Sequence, residues 1–266
     1  MIAAPHPGLS AALIALGLVL GARRMEAQSR AFVFSVTTIR PSPADAWTVQ
    51  YDAGFGEQTV QAIAEKGVDQ RVSVQGALGA GFTVRGQFGL ATESEAGTRS
   101  SQEIELLKDL LSRPGGPSLA VGVGVRREWD GTATWLGRIV LGHALSSSWL
   151  YGNLRVEKSF EAGRDEIDLI ATAGWLYHVG PALHVGVEAV AQDLEGFWEP
   201  EEAEGGARIF AGPSLHFSRP GGPFYASLCG GPVFLASNGR GTSDVPRPLG
   251  RSGSGYTVRL SVGYAF

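Results

Sequence analysis

Cysteine is nearly absent: Cys229 is the only one in 266 residues. An intrachain disulfide is therefore impossible, and no set of thiolates exists to hold zinc. Charge is also sparse, at 18% Asp, Glu, Lys and Arg, with a formal net charge of -4. With no basic surplus to neutralise phosphates, a nucleic-acid partner is not expected. No run of about 18 apolar residues occurs, so no ordinary transmembrane helix is encoded. P-loop, dinucleotide-binding, GxSxG and HExxH patterns are missing too. What the chain has in excess is glycine, 38 residues without a collagen period, beside 44% hydrophobic residues.

The amino-terminal end differs from the rest. "LSAALIALGLVLGA" (Leu9 to Ala22) is an apolar stretch of signal-peptide length, too short to cross a bilayer as a helix. The small residues of "MEAQSR" follow it. We expect residues 1–27 to be a signal peptide cleaved after Ala27, residues 28–46 to be a lead-in, and residues 47–266 to form one domain. No basic residue precedes the apolar stretch, and Arg23 and Arg24 follow it. The competing reading is a frayed amino-terminal helix.

From Trp47 onward the dominant signal is a period of two. "WTVQYDAGF" sets Trp47, Val49, Tyr51 and Phe55 against Thr48, Gln50 and Asp52. "SLAVGVGVR" sets Leu119, Val121, Val123 and Val125 against Ala120, Gly122 and Gly124. "ALHVGVEAVAQ" sets Leu183, Val185 and Val187 against His184, Gly186 and Glu188. Alternate side chains of a strand point to opposite faces, so each segment has one greasy face and one polar or small face. About 12 such segments of about 9–13 residues occur, longer than the usual 5–6 of soluble strands and matched to a tilted membrane strand. The connections after even-numbered segments ("GAGF", "SRPGGP", "LSSS", "HVGP", "SRPGG") are short. Those after odd-numbered segments are generally longer and more polar. That alternation predicts a closed antiparallel transmembrane β-barrel with turns in the periplasm and loops outside. "QEIELLKDLLSR" (Gln102 to Arg113) is ambiguous: it reads as a strand, but Ile104, Leu107, Leu110 and Leu111 also have helical spacing. A soluble sandwich, with the apolar faces turned inward, is the competing architecture.

The last eleven residues, "YTVRLSVGYAF", carry the cleanest alternation: Val258, Leu260, Val262, Tyr264 and Phe266. This strand resembles the carboxyl-terminal signature of Gram-negative outer-membrane β-barrel proteins, which are porin-like in architecture. The resemblance implies location in the bacterial outer membrane, contact with its lipid, and closure of the terminal strand against the first. It also implies recognition of Tyr264 and Phe266 by the barrel-assembly machinery. It identifies no subfamily and no oligomeric state. Aromatics near segment ends fit two interfacial girdles: Trp47, Phe82, Trp149, Trp175, Phe217, Phe224 and Tyr264 near the turns, and Phe55, Trp129, Trp135 and Phe160 near the loops.

If the apolar faces meet lipid, the others line the lumen. Candidate lining residues are Arg71, Arg85, Glu103, Arg155, Glu166, Asp168, Glu188, Arg208 and Arg259. The inner face also carries Gly122, Gly124, Gly174, Gly186, Gly212 and Gly263. A barrel of this size leaves a narrow passage once such side chains fill it. The expectation is a narrow channel for small polar solutes, with a plugged structural or surface-interaction barrel as the alternative. No cofactor is implied. The carboxylates of "DLEGFWEPEEAEGG" match no fixed metal motif, so a solvated loop is expected there.

A lipid hydrolase is the competing function of another class. "ASNGRGTSD" resembles part of the outer-membrane phospholipase motif, but Leu235 stands where that motif has its histidine, removing the base for Ser237. A cluster of Ser214, His216, His184 and Glu188 is the remaining candidate, against the plainer reading of rim histidines hydrogen-bonded to neighbours. The chain is expected not to be an enzyme.

Overall fold

The structure, a computed structural model, describes residues 47–58, 65–93, 97–112, 115–128, 131, 133–160, 167–192, 194, 206–237 and 255–266. These include twelve strands: β1 (Trp47–Gln58), β2 (Glu65–Gly79), β3 (Phe82–Glu93), β4 (Gly97–Ser112), β5 (Pro117–Glu128), β6 (Ala133–Ala144), β7 (Ser148–Ser159), β8 (Asp168–His178), β9 (Leu183–Gln192), β10 (Gly206–Ser218), β11 (Phe224–Ser237) and β12 (Gly255–Ala265). The ambiguous fourth segment is a strand. It pairs with β3 from Phe82↔Lys108 to Glu93↔Gly97 and with β5 along its other edge, with one register shift between Asp109 and Leu111. Two-sided pairing overrides its helical spacing, because a gap there would leave both neighbours' backbone groups open in hydrocarbon.

Every strand pairs antiparallel with its sequence neighbours, and β12 returns to β1 to close the barrel. The closing seam runs from Thr48↔Ala265 to Gly56↔Thr257. It is sealed by two reciprocal hydrogen bonds: Trp47 N donates to Phe266 O at 3.1 Å, and Phe266 N donates to Trp47 O at 2.9 Å. Closure removes the sheet edge, so no row of unpaired N–H and C=O groups faces lipid.

The alternation sorts the faces as the period of two requires. Trp47, Tyr51, Val72, Ile104, Val123, Trp135, Val187, Leu215, Leu228, Leu260 and Tyr264 all point outward and are exposed, Val123 to 61%. A continuous apolar jacket of this kind would aggregate in water and is the surface a bilayer requires. The greasy faces do not meet in a dry interior, so the sandwich architecture is excluded.

Several strands run further than the sequence alternation marks; β2 starts at Glu65 and β4 at Gly97. As a result the β1–β2 and β3–β4 connections shrink to 59–64 and 94–96, and the β5–β6 connection, at 129–132, is short as well. The long connections are those after β7, β9 and β11, all at one end of the barrel. At the other end the turns are tight. Between β2 and β3, Gly79 (φ 89°), Ala80 (φ 49°) and Gly81 (φ 74°) take left-handed conformations, which two of the three occupy at no steric cost. The signal-peptide and lead-in readings for 1–46 lie outside the described residues.

Candidate functional site

The inward faces build a lumen with two unlike walls. One is ionic and runs along β3–β7. Glu105 of β4 receives Arg138 of β6 in a two-pronged bond (Nε–Oε1 2.7 Å, Nη2–Oε2 2.9 Å), and Arg85 of β3 approaches the same carboxylate at 3.3 Å. Glu103 takes Arg155 of β7 at 2.5 and 3.2 Å, and also a hydrogen bond from the Gln87 amide. Glu157 is shared by Arg155 and Arg126, at 2.6 Å each. Four guanidinium groups thus meet three carboxylates, a surplus of one positive charge. These pairs leap across strands because the middle of β5's inner face is bare: between Ser118 and Arg126, Ala120, Gly122 and Gly124 offer nothing that blocks β4 from reaching β6 and β7.

A second ionic group lies by the closing seam. Arg71 Nε donates to Asp52 Oδ2 at 3.1 Å, Ser261 donates to the same aspartate, and Arg259 sits 3.5 Å from Asp69. One register row links it to the histidines: His178↔His184↔His216↔Ser227↔Ser261↔Asp52↔Arg71. The strands are tilted, so this row climbs from the short-turn mouth at His178 to mid-wall at Asp52.

The other wall is apolar. Trp149, Tyr151, Ile170, Leu176, Val190, Phe210, Cys229 and Val233 form one buried cluster along β7–β11. A polar nest is set into it: Tyr151 Oη donates to Glu188 Oε1 at 2.7 Å, and His216 Nε2 lies 2.7 Å from the same oxygen.

The glycines explain how so many large side chains fit. Gly54, Gly122, Gly124, Gly174, Gly186 and Gly263 each sit directly across a strand pair from a large inward residue: Arg259, Leu107, Glu105, Tyr151, Leu176 and Tyr225. Each large side chain lies down on its glycine. A Cβ on Gly54 would stand 3.0 Å from Arg259 Nη2, and one on Gly122 would stand 2.8 Å from Leu107 Cδ2. On Gly174 or Gly263 it would overlap ring atoms of Tyr151 or Tyr225. The seated Tyr225 donates to Gln50 Oε1 at 2.8 Å, which ties β11 to β1 across β12. Side chains therefore spread along the wall rather than projecting to the axis.

Of the candidate lining residues, Arg71, Arg85, Glu103, Arg155, Glu188 and Arg259 are inward and buried, and Asp168 and Arg208 are inward and half-buried. Glu166 and the loop carboxylates of Glu195–Glu204 lie outside the described residues. Sequence reasoning missed Arg138, which holds Glu105 through two nitrogens. On β6 both faces are apolar, with Trp135, Ile139 and Leu141 outward and Leu136 and Val140 inward, so the phase cannot be read from hydropathy. It also misplaced Trp149, assigned to the interfacial girdle. Trp149 is inward and buried, tilted against Tyr151 at 5.7 Å between ring centroids. Here the apolar inner wall, not lipid, takes the indole. The other girdle aromatics that are described do face outward.

The hydrolase cluster does not assemble as a nucleophile and base. His216 is engaged with Glu188, and Ser214 Oγ has no hydrogen-bond partner among the described residues. No group of three or more His, Cys, Asp or Glu able to hold a metal ion exists among the described residues.

A closed twelve-stranded antiparallel barrel, apolar outside and ionic within, defines an outer-membrane-type, porin-like architecture. No family model matches the chain, and no curated protein matches it. Among solved structures it is similar to the KdgM porin (TM-score 0.53, 11% identity, covering 82% of this chain and 99% of that one) and to the NanC porin (TM-score 0.54, 9% identity, covering 81% and 98%). A KdgM structure in complex with disordered oligogalacturonate aligns equally well, at TM-score 0.53 and 10% identity. At these identities the likeness establishes the fold.

Proposed function

We propose that this barrel resides in the outer membrane and forms a narrow, porin-like channel for small polar solutes. The observation that carries the reading is the seating of inward side chains on cross-strand glycines. A wall that needed only to be filled would not require glycine opposite its largest residues. A wall that must keep its axis clear does. The lining arginines and glutamates then present fixed charges of both signs to whatever passes, the basis on which a pore sorts small solutes. KdgM and NanC, named as porins, share this fold. We assign the lining role to Arg71, Arg85, Glu103, Arg155, Asp168, Glu188, Arg208 and Arg259, together with Arg138 and Glu105. Tyr264 and Phe266 are assigned to recognition by the assembly machinery.

One observation favours a barrel that is shut at rest: Glu105 and Arg259 are only 1% and 2% exposed. Planar-bilayer recording of the refolded full chain separates the readings. A channel gives discrete, small conductance steps, larger in Arg155→Gln, where the bridges to Glu103 and Glu157 are removed. A silent membrane for both proteins overturns the channel. Silence in the parent with steps in the variant makes the ionic wall a closed gate. The same reading assigns no hydrolysis; fatty-acid release from phospholipid that disappears in Ser214→Ala or His216→Ala would overturn it.

A further inference from the structure

The outward strand faces carry a one-sided set of charges. Among the described side chains no outward strand position holds Asp or Glu. The Lys and Arg found there are Lys108 on β4, Arg127 on β5 and Lys158 on β7. Lys108 stands at the short-turn end and is used internally: its ammonium group bonds the Ala80 carbonyl and lies 4.4 Å above the Phe82 ring.

Arg127 and Lys158 stand at the other end, where the long connections leave the barrel, and both are exposed. Neither has an ion-pair or hydrogen-bond partner among the described residues. They flank β6, where Arg127 pairs in register with Ala133 and Lys158 with Trp135. Gln102, opposite Arg127 on β4, extends the polar strip on the same face. Below it the surface is Val125, Ile139, Val156 and Val123, and beside it Trp135 packs against Phe160 at 5.5 Å between ring centroids.

A pair of cations at the upper edge of an apolar band, next to interfacial aromatics and with no counter-charge among the described residues, is complementary to an anionic headgroup whose acyl chains lie along the band. We propose that Gln102, Arg127 and Lys158 form a docking site on β4–β7 for a phospholipid of net negative charge in the leaflet at the loop end. The long side chains reach up from the apolar edge to the headgroup, and the small Ala133 between them leaves room for it. The proposal needs the barrel and its orientation, but not an open lumen.

The test uses the refolded full chain in detergent, titrated with phosphatidylglycerol or phosphatidylcholine and read by native mass spectrometry. Phosphatidylglycerol is expected to bind preferentially. Each of Arg127→Gln and Lys158→Gln should cut that preference about fivefold, and the double variant roughly 25-fold, at about 1 kcal/mol per basic residue. Lys108→Gln should leave it unchanged, and the charge-preserving Arg127→Lys with Lys158→Arg should retain most of it. Heat-modifiable electrophoretic mobility of the double variant should match the parent, which shows that the barrel has formed, and its bilayer conductance should match as well, which separates this site from the channel reading. A preference that survives in the double variant, or that falls equally with Lys108→Gln, overturns the site. So does a lipid-free dimer that the double variant dissociates, since that would make the patch a contact between two copies of the chain.

Discussion

The two walls of the lumen solve the same packing problem with opposite chemistry. Along β3–β7 the space is filled by arginine and glutamate chains that each need a partner. Along β7–β11 it is filled by Phe210, Val190, Val233 and Leu176, which need only shape. Burying an ion pair yields little net stability, since desolvation offsets the attraction, whereas burying apolar side chains yields a gain outright. The apolar wall is therefore where the barrel's stability concentrates. The ionic wall is where stability has been given up for charges held at fixed positions.

That contrast can be broken at either wall. The largest effect is expected from Glu105→Ala, which strands Arg85 and Arg138 without their carboxylate. Loss of one member of a buried pair costs about 3–5 kcal/mol. Urea unfolding in lipid vesicles measures it, and stability close to the parent's would mean that water already screens this wall. Next comes Phe210→Ala on the apolar side, expected to cost about 3 kcal/mol through a cavity while leaving conductance and ion selectivity near the parent's. If selectivity shifted as well, the apolar wall would be part of the conducting path. Arg155→Gln should be milder in stability but visible in recording: with the positive surplus of the ionic wall removed, the reversal potential in a salt gradient should move toward cation preference. Smallest is Tyr225→Phe, which loses the bond to Gln50, worth about 1 kcal/mol, and leaves the ring on Gly263.

Most of the architecture was legible because a membrane barrel writes itself into alternate positions. Val121, Val123 and Val125 against Gly122 and Gly124 could be sorted by hydropathy alone, and the terminal strand more clearly still. The reading faltered where both faces carry similar side chains. On β6 the inward Leu136 and Val140 hid the phase of Arg138. On β7 an inward Trp149 imitated a girdle residue. β4 looked helical because Leu107 faces inward among the acids and a register shift between Asp109 and Leu111 breaks the alternation. Partners were not legible at all. Which arginine meets which glutamate depends on register and tilt, and Glu103 finds Arg155 three strands away. The glycine surplus pointed to the inner wall, but the reason for each glycine appears only when its cross-strand neighbour is known.

The seating of large residues on glycines has a consequence for how this chain can drift over generations. At Gly174 and Tyr151, or Gly263 and Tyr225, what must be preserved is the summed volume of two facing positions, not the identity of either. A bulky replacement at one position should be tolerated only when its partner shrinks in step, as with tyrosine and glycine exchanging places. Related barrels should therefore show these sites varying as reciprocal couples while the lumen keeps its bore.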